Sequence, residues 1–283
     1  MNISRDQTTA SAIPRFRRKP PNPRRYLRNA AIVIVAHPDD EAIGLGTRLH
    51  RFRKLRAVIH VTDGAPRTGP DATNAGVRSY QQYAALRRRE VERAISESGS
   101  HAAKLMCLWF PDQQAAYRIA LLTLRLASIF RRFRPSVVFT HPYEGGHPDH
   151  DATCAAVHLA ASLLRKQGRQ SPEILEFASY HAGLVRWKTE CFLGGDRRAI
   201  EFHELSAHER NAKQRLFDCY RSQAGILSAF PIRNEPVRRS PGYRFHRAPH
   251  SGKLLYERFG WVLSGRRWRQ LVRVASCLLK LPL

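Results

Sequence analysis

The run Ala31-Ile-Val-Ile-Val-Ala-His-Pro-Asp-Asp-Glu-Ala-Ile-Gly-Leu-Gly46 constrains this chain more than any other stretch. Its apolar residues Ala31 to Ala36 read as a β-strand buried on both faces, as in the interior of a parallel sheet. Pro38 lacks an N–H for the strand ladder and stops it. The chain then passes at once into His37, Asp39, Asp40 and Glu41. Ionisable groups therefore crowd the point where an interior strand reaches the surface, the edge at which α/β sheets bind ligands. Burying them unpaired would cost several kcal/mol. A metal cation is the simplest partner that removes this penalty.

Strands and helices alternate from there. Residues 57–62, 104–110 and 136–140 read as further buried strands. Helices are expected over residues 42–54, over 79–98 with Gly99 as the stop, over 115–133 closed by Pro135, and from Asp151, as N-cap, to about Lys166. Residues 67–77, rich in Gly, Pro, Asn and Asp, read as a loop beside the site. This order predicts an α/β fold: a Rossmann-like, mostly parallel sheet with helices on both faces. Beyond Gln170, residues 173–180 and 199–203 read as strands and 206–222 as a long helix.

At 283 residues the chain suits one large domain with appendages. The expected division is a disordered basic arm over 1–28, the main domain over 29–260 and a basic amphipathic helix over 261–283. In that last segment Trp268, Leu271, Val272, Ala275, Leu278 and Leu279 share a stripe, which either lies on a membrane surface or docks on its own domain. Five scattered cysteines without a C-x-x-C pair argue against disulfides and cysteine-bound zinc, and suit a reducing cytoplasm. No apolar run approaches the ~20 residues of a membrane span, and the N-terminus lacks the apolar segment of a secretory signal.

The net charge of +25 is concentrated partly at the two ends. It suits contact with an anionic glycan or the inner membrane surface, with the protein held peripherally there. A non-catalytic nucleic-acid binder is the rival reading. The chain has no helix-turn-helix, zinc-finger or RNA-binding signature, so no specific nucleic acid is expected.

A second polar cluster, His147-Pro148-Asp149-His150, follows the fourth strand. A catalytic zinc takes three N/O protein ligands and keeps an open position. His37 and Asp40, three residues apart, suit one ion, and His150 is the best third ligand. Together with Val61-Thr62-Asp63-Gly64, Arg87-x-x-Glu90-x-x-x-Ala94 and Tyr220-x-Ser-Gln223, the segments Ala36–Glu41 and His147–His150 resemble the LmbE/PIG-L-like zinc-dependent N-deacetylases. The resemblance spans roughly residues 30 to 225.

That resemblance implies one Zn2+ per chain on His37, Asp40 and His150, with Asp39 as the general base that deprotonates the attacking water. His147 would stabilise the oxyanion and protonate the leaving amine, and Asp149 would orient or tune His147. Arg87 would hold substrate oxygens, and Glu41 would cap the next helix or support the ligands. Asp63 and Tyr143 are added as substrate contacts, although Asp-Gly is first of all a turn former. Where some members carry an assisting tyrosine two residues before the second cluster, this chain has Gly145. His141 is expected beside the ligands rather than among them, and Asp112 near a substrate hydroxyl. Tyr80, Tyr83, Trp109 and Tyr117 read as core or surface filler. The implied reaction removes acetyl from an N-acetylglucosamine-type sugar or glycoconjugate, giving acetate and a free amine. A zinc amidase acting on another N-acyl amine, such as a thiol-sugar or antibiotic precursor, is the alternative.

Overall fold

The apolar run folds as β1 (Ala31–Val35), every residue of it buried. The computed structural model describes residues 19–282, so residues 1–18 of the expected arm lie outside the described residues. Around β1 assemble β2 (Leu55–Pro66), β3 (Lys104–Asp112), β4 (Val137–Thr140) and β5 (Glu173–Phe177), all parallel. Two short strands, β8 (Ile200–Glu201) and β9 (Val237–Arg239), extend the sheet antiparallel, giving the order β3-β2-β1-β4-β5-β9-β8. The hairpin β6 (Tyr180–Ala182) and β7 (Trp187–Thr189) forms a separate ribbon. The strand order reverses between β1 and β4, which opens a crevice at their carboxyl ends. Both polar clusters lie at that crevice.

Alternation along β1 divides the core. Ile32 and Ile34 pack into one apolar cluster with α3 (Ile119–Phe133) and α4 (Pro148–Lys166), while Ala31, Val33 and Val35 pack into a second with α1 (Asp40–Leu45), α2 (Tyr80–Glu97) and α5 (Ala207–Asp218). The expected helix over 42–54 is shorter: α1 tightens into a 3-10 turn at Gly46–Arg51. Gly44 lets α1 lie directly on the sheet, because a Cβ there would fall 2.0 Å from the Phe177 ring. Ser79 caps α2 and Ser206 closes a capping box on α5. The start of α4 differs from expectation. His147, not Asp151, is its N-cap, because Pro148 with its fixed φ takes the first helical position. Asp151, one turn in, accepts the Glu144 and Gly145 N–H groups.

Both basic ends are partly integrated. Residues Pro23–Tyr26 form one helical turn, and buried Tyr26 donates to Glu201 and meets Arg48, so the chain joins the fold before residue 28. At the other end α6 (Gly265–Leu278) buries Trp268, Val272 and Ala275 in the cluster shared with α3 and α4. Trp268 Nε1 also donates to the Pro148 carbonyl at 3.1 Å. The apolar stripe predicted from sequence is thus largely spent inside the protein, although Leu278 at its end stays exposed. Among the described residues no helix is long and apolar enough to cross a membrane, and all five cysteines are free.

Candidate active site

The turn after β1 brings three side chains together with the first turn of α4. His37 Nδ1 lies 3.4 Å from Asp40 Oδ2 and 3.3 Å from His150 Nε2, and His150 Nε2 lies 3.2 Å from Asp40 Oδ1. Tetrahedral ligands at zinc bond lengths of about 2.0–2.1 Å stand about 3.3 Å apart, so these separations suit a single ion. Two imidazole nitrogens and a carboxylate facing one another in a buried place need a proton or a cation between them. The donor set therefore fits a divalent metal.

Neighbouring groups set the tautomers. His37 Nε2 lies 3.0 Å from Asp112 Oδ1 and 3.6 Å from Asp149 Oδ2, so in the neutral ring the N–H points to the carboxylates and Nδ1 is the lone pair. Burial opposes charge on His37, yet Asp112 and Asp149 hold its pKa well above the ordinary value. Burial pushes His150 down to about 3, in favour of the neutral ligand form. Burial also disfavours charge on Asp40, but the imidazoles of His150 and His141 hold it well below the usual carboxylate range. His141 stacks on His150 at 3.9 Å between ring centroids. Its Nε2 accepts the Ala36 N–H at 3.0 Å and its Nδ1 faces Ser179 Oγ at 3.0 Å. With that lone pair taken, His141 lies beside the donor set without joining it.

Asp39 sits on a strained backbone, with φ of +126°, a conformation that costs a non-glycine residue on the order of 1–3 kcal/mol. Its surroundings hold it there. Glu41, fully buried, accepts the Asp39 N–H at 3.2 Å, lies 2.9 Å from His60 Nε2 and accepts from the Tyr220 hydroxyl. Arg87 Nη2 donates to the Pro38 carbonyl and to Asp39 Oδ2, the latter at 3.0 Å. Gly64, at φ +64°, lets Arg87 pass: a Cβ there would stand 3.0 Å from its Nε and 2.8 Å from Pro38 Cδ. Burial raises the Asp39 pKa to about 7 against the lowering charge of Arg87.

His147 faces the same space, its ring 4.4 Å from that of His37 and 5.2 Å from that of His150. Its Nδ1 accepts the Asp149 N–H, so in the neutral ring Nε2 carries the proton. Burial and the nearby charge of His37 depress its pKa well below the ordinary value.

Three expectations, for Asp149, Asp63 and Tyr143, are corrected. Asp149 does not orient His147 through its carboxylate: that group lies near His37 and accepts the N–H groups of Gln113 and Ala115, because its place in the first turn of α4 aims it at the end of β3. Arg87 lines the cavity: it pairs with Asp39 and Glu90, and its Nη1 has no hydrogen-bond partner. Asp63 turns away from the site, pairing with Arg67 at 2.6 Å and capping Ala65, as an Asp-Gly turn favours. Tyr143 is core: it stacks on Trp268 and donates to the Arg247 carbonyl. Gly145 stands at φ +70° with Leu254 against it, leaving no room for a tyrosine there.

His37, Asp39, Asp40, His147 and His150 line one cavity of about 390 Å³. Asp112 and Tyr83 reach it, while Trp109 and Tyr117 are exposed surface residues. Apolar and aromatic side chains, those of Tyr180, Trp187, Ile226, Phe230, Phe259 and Trp261, line it as well. Tyr180, 5.1 Å from the His150 ring, and Trp261, 4.6 Å from that of His147, carry no motif and were invisible in the sequence.

Known proteins resemble this chain in sequence and in fold. Residues 32–161 match the family described as PIG-L: GlcNAc-PI de-N-acetylase. A Bacillus cereus protein named "Probable N-acetyl-alpha-D-glucosaminyl L-malate deacetylase 2" is 26% identical over 186 residues, covering 64% of this chain and 79% of that protein. A teicoplanin-pathway deacetylase structure superposes with TM-score 0.55 at 18% identity, covering 75% of this chain and 99% of that one. GalB of Pseudomonas putida, a 4-carboxy-2-hydroxymuconate hydratase, superposes with TM-score 0.51 at 17% identity, covering 71% and 82%. The fold thus carries more than one chemistry, and the side chains of the site must decide the reaction.

Proposed function

We infer, for a chain that belongs to the PIG-L family through residues 32–161, that it is a metal-dependent hydrolase removing acetyl from an N-acetylated amino sugar. The single observation that carries this reading is the meeting of His37, Asp40 and His150 beside Asp39 and His147 in one cavity. We assign His37, Asp40 and His150 as ligands of one zinc ion. When bound, that ion supplies Lewis acidity, lowering the pKa of water towards ~7 and polarising the amide carbonyl.

The protein's own groups do the rest. Asp39, with a pKa near neutrality, takes the proton of the attacking water, a step worth typically ~10²–10⁴-fold. Arg87 holds that carboxylate in place. His147, with its proton on Nε2, donates a hydrogen bond to the developing oxyanion, and the proton taken up by Asp39 passes to the departing nitrogen. Asp112 and Asp149 fix the His37 tautomer. The relative's printed substrate, an N-acetylglucosaminyl compound, supports an amino sugar as substrate.

A second reading, hydrolysis of another N-acyl amine such as an antibiotic precursor, is favoured only by the aromatic lining of the cavity. Acetate release by the zinc-loaded protein, measured on a panel of N-acetyl amino sugars and non-sugar N-acetyl amines, separates the two. Turnover confined to the sugars is expected. Turnover confined to the non-sugar amines would transfer the assignment to the second reading, and none on either would end both.

A further inference from the structure

Further along α4 than His150, the helix carries a second group of metal-ligating side chains that the reaction does not use. Cys154 and His158 are four residues apart and so share one face of the helix. Across from that face lies β5. Alternation along this strand turns Leu175 and Phe177 into the core under α1 and α2, and Glu176 to the opposite side, towards α4. One donor atom from each of Cys154, His158 and Glu176 lies within 4.8 Å of the other two. Ligands of a tetrahedral zinc that include one thiolate stand about 3.3–3.6 Å apart, so small side-chain rotations close this set on one ion. No cysteine pair announces it, because the set takes one cysteine, one histidine and one acid from two elements.

The surroundings lack a cation. Glu176 is fully buried. Its Oε2 accepts from Arg238 Nε at 2.9 Å and from the Tyr243 hydroxyl at 2.8 Å, whereas its Oε1 has no hydrogen-bond partner. Arg238 is shared, since its Nη2 also pairs with buried Glu144 at 3.3 Å. One guanidinium therefore faces two buried carboxylates, and a further cation beside Glu176 would restore the balance. Burial lifts the Cys154 thiol well above its ordinary pKa and pushes His158 down to about 4, so the imidazole is neutral with a lone pair to give. Ser240 Oγ, 2.9 Å from His158 Nε2 and near Glu176 as well, borders the same space. Half-buried His158 gives the way in from solvent. A sulfur and an imidazole nitrogen select zinc over hard cations such as magnesium or calcium.

We propose that Cys154, His158 and Glu176 bind a second zinc ion, separate from that of His37, Asp40 and His150, which ties α4 to β5. Binding releases the Cys154 thiol proton to solvent, and the thiolate takes its place on the metal. The ion braces the helix that also carries His150. That consequence for the reaction rests on the deacetylase reading; the site itself does not.

Cobalt(II) tests the site, because a thiolate bound to it gives a near-ultraviolet charge-transfer band and the set of His37, Asp40 and His150 holds no sulfur. The full chain, stripped by chelator and reloaded with cobalt(II), is expected to show that band and to hold two ions per chain by elemental analysis. Cys154→Ser should lose the band and one of the two ions. His158→Gln, at a half-buried position, should shift the midpoint of the cobalt titration of the band by more than about tenfold. His150→Ala should keep the band while losing the ion of the cavity, so failure of the deacetylase reading and failure of this site are read separately. No thiolate band in the reloaded wild type, or an undiminished band in Cys154→Ser, would overturn the proposal. Should Cys154→Ser not fold, an unshifted titration in His158→Gln would overturn it instead.

Discussion

Arg87 Nη2 lies 3.0 Å from Asp39 Oδ2 and also binds the carbonyl of Pro38, so one guanidinium holds both the carboxylate of Asp39 and the peptide that leads into it. The backbone strain at Asp39 persists because Arg87 from α2 and Glu41 from α1 over-determine it.

Replacing Arg87 by Met therefore has two effects. Burial already raises the Asp39 pKa to about 7 and the guanidinium opposes it, so its loss moves that pKa further up. The acid limb of kcat/KM should move to higher pH, and activity at pH 7 should fall about tenfold for each pH unit the limb travels. Leaving the carboxylate buried without its partner should cost about 3–5 kcal/mol in denaturant unfolding. A pH–rate profile with an unmoved acid limb would remove Arg87 from this role.

Asp39→Ala and His150→Ala should separate base from ligand. Asp39→Ala is expected to retain metal and lose about 10²–10⁴-fold in turnover. His150→Ala is expected to lose both, because Nε2 of His150 stands within 3.3 Å of the two other donors. Metal content by elemental analysis, paired with acetate release, reads the difference. Full activity in Asp39→Ala would show that the base lies elsewhere.

Chelation should abolish activity and lower Tm together, with both restored by zinc. A ligand bound only by the folded chain, present at about 100 times its Kd, stabilises by about 2.7 kcal/mol. Calorimetry of the stripped and reloaded protein measures this, and an unchanged Tm would separate the donor set from metal binding.

Stability should depend on Glu144. Burial raises its pKa to about 8 in spite of Arg238, and one of its oxygens has no hydrogen-bond partner. A carboxyl whose folded pKa is raised gives stability that is complete below its unfolded value and is lost as pH rises through the folded one. Tm should therefore fall between about pH 4.5 and pH 8, and Glu144→Gln should flatten that part of the curve. Identical slopes in the two proteins would exclude Glu144 as the source.

The docking of α6 is checked by Trp268→Ala. Trp268 is fully buried between α3, α4 and Tyr143, and its removal should cost about 3–5 kcal/mol. A loss below about 1 kcal/mol would mean that α6 is dispensable to the core.

By itself the amino-acid sequence determined the local parts of this protein. The apolar run Ala31–Val35, the stop at Pro38 and the alternation of strands and helices follow from backbone chemistry and periodicity, so the parallel sheet and its ligand edge were readable. The meeting of His37, Asp40 and His150 was readable too, because polar residues on short turns at neighbouring strand ends keep recognisable spacing. Tertiary structure alone decided which partner each remaining side chain met. Asp149 turned to His37, Tyr143 entered the core, and Tyr180, Trp187 and Trp261 came from segments without motifs to line the cavity. The physical reason is range. Strand period, proline stops and caps act over a few residues, whereas a side chain's direction and contacts depend on packing between segments more than a hundred residues apart.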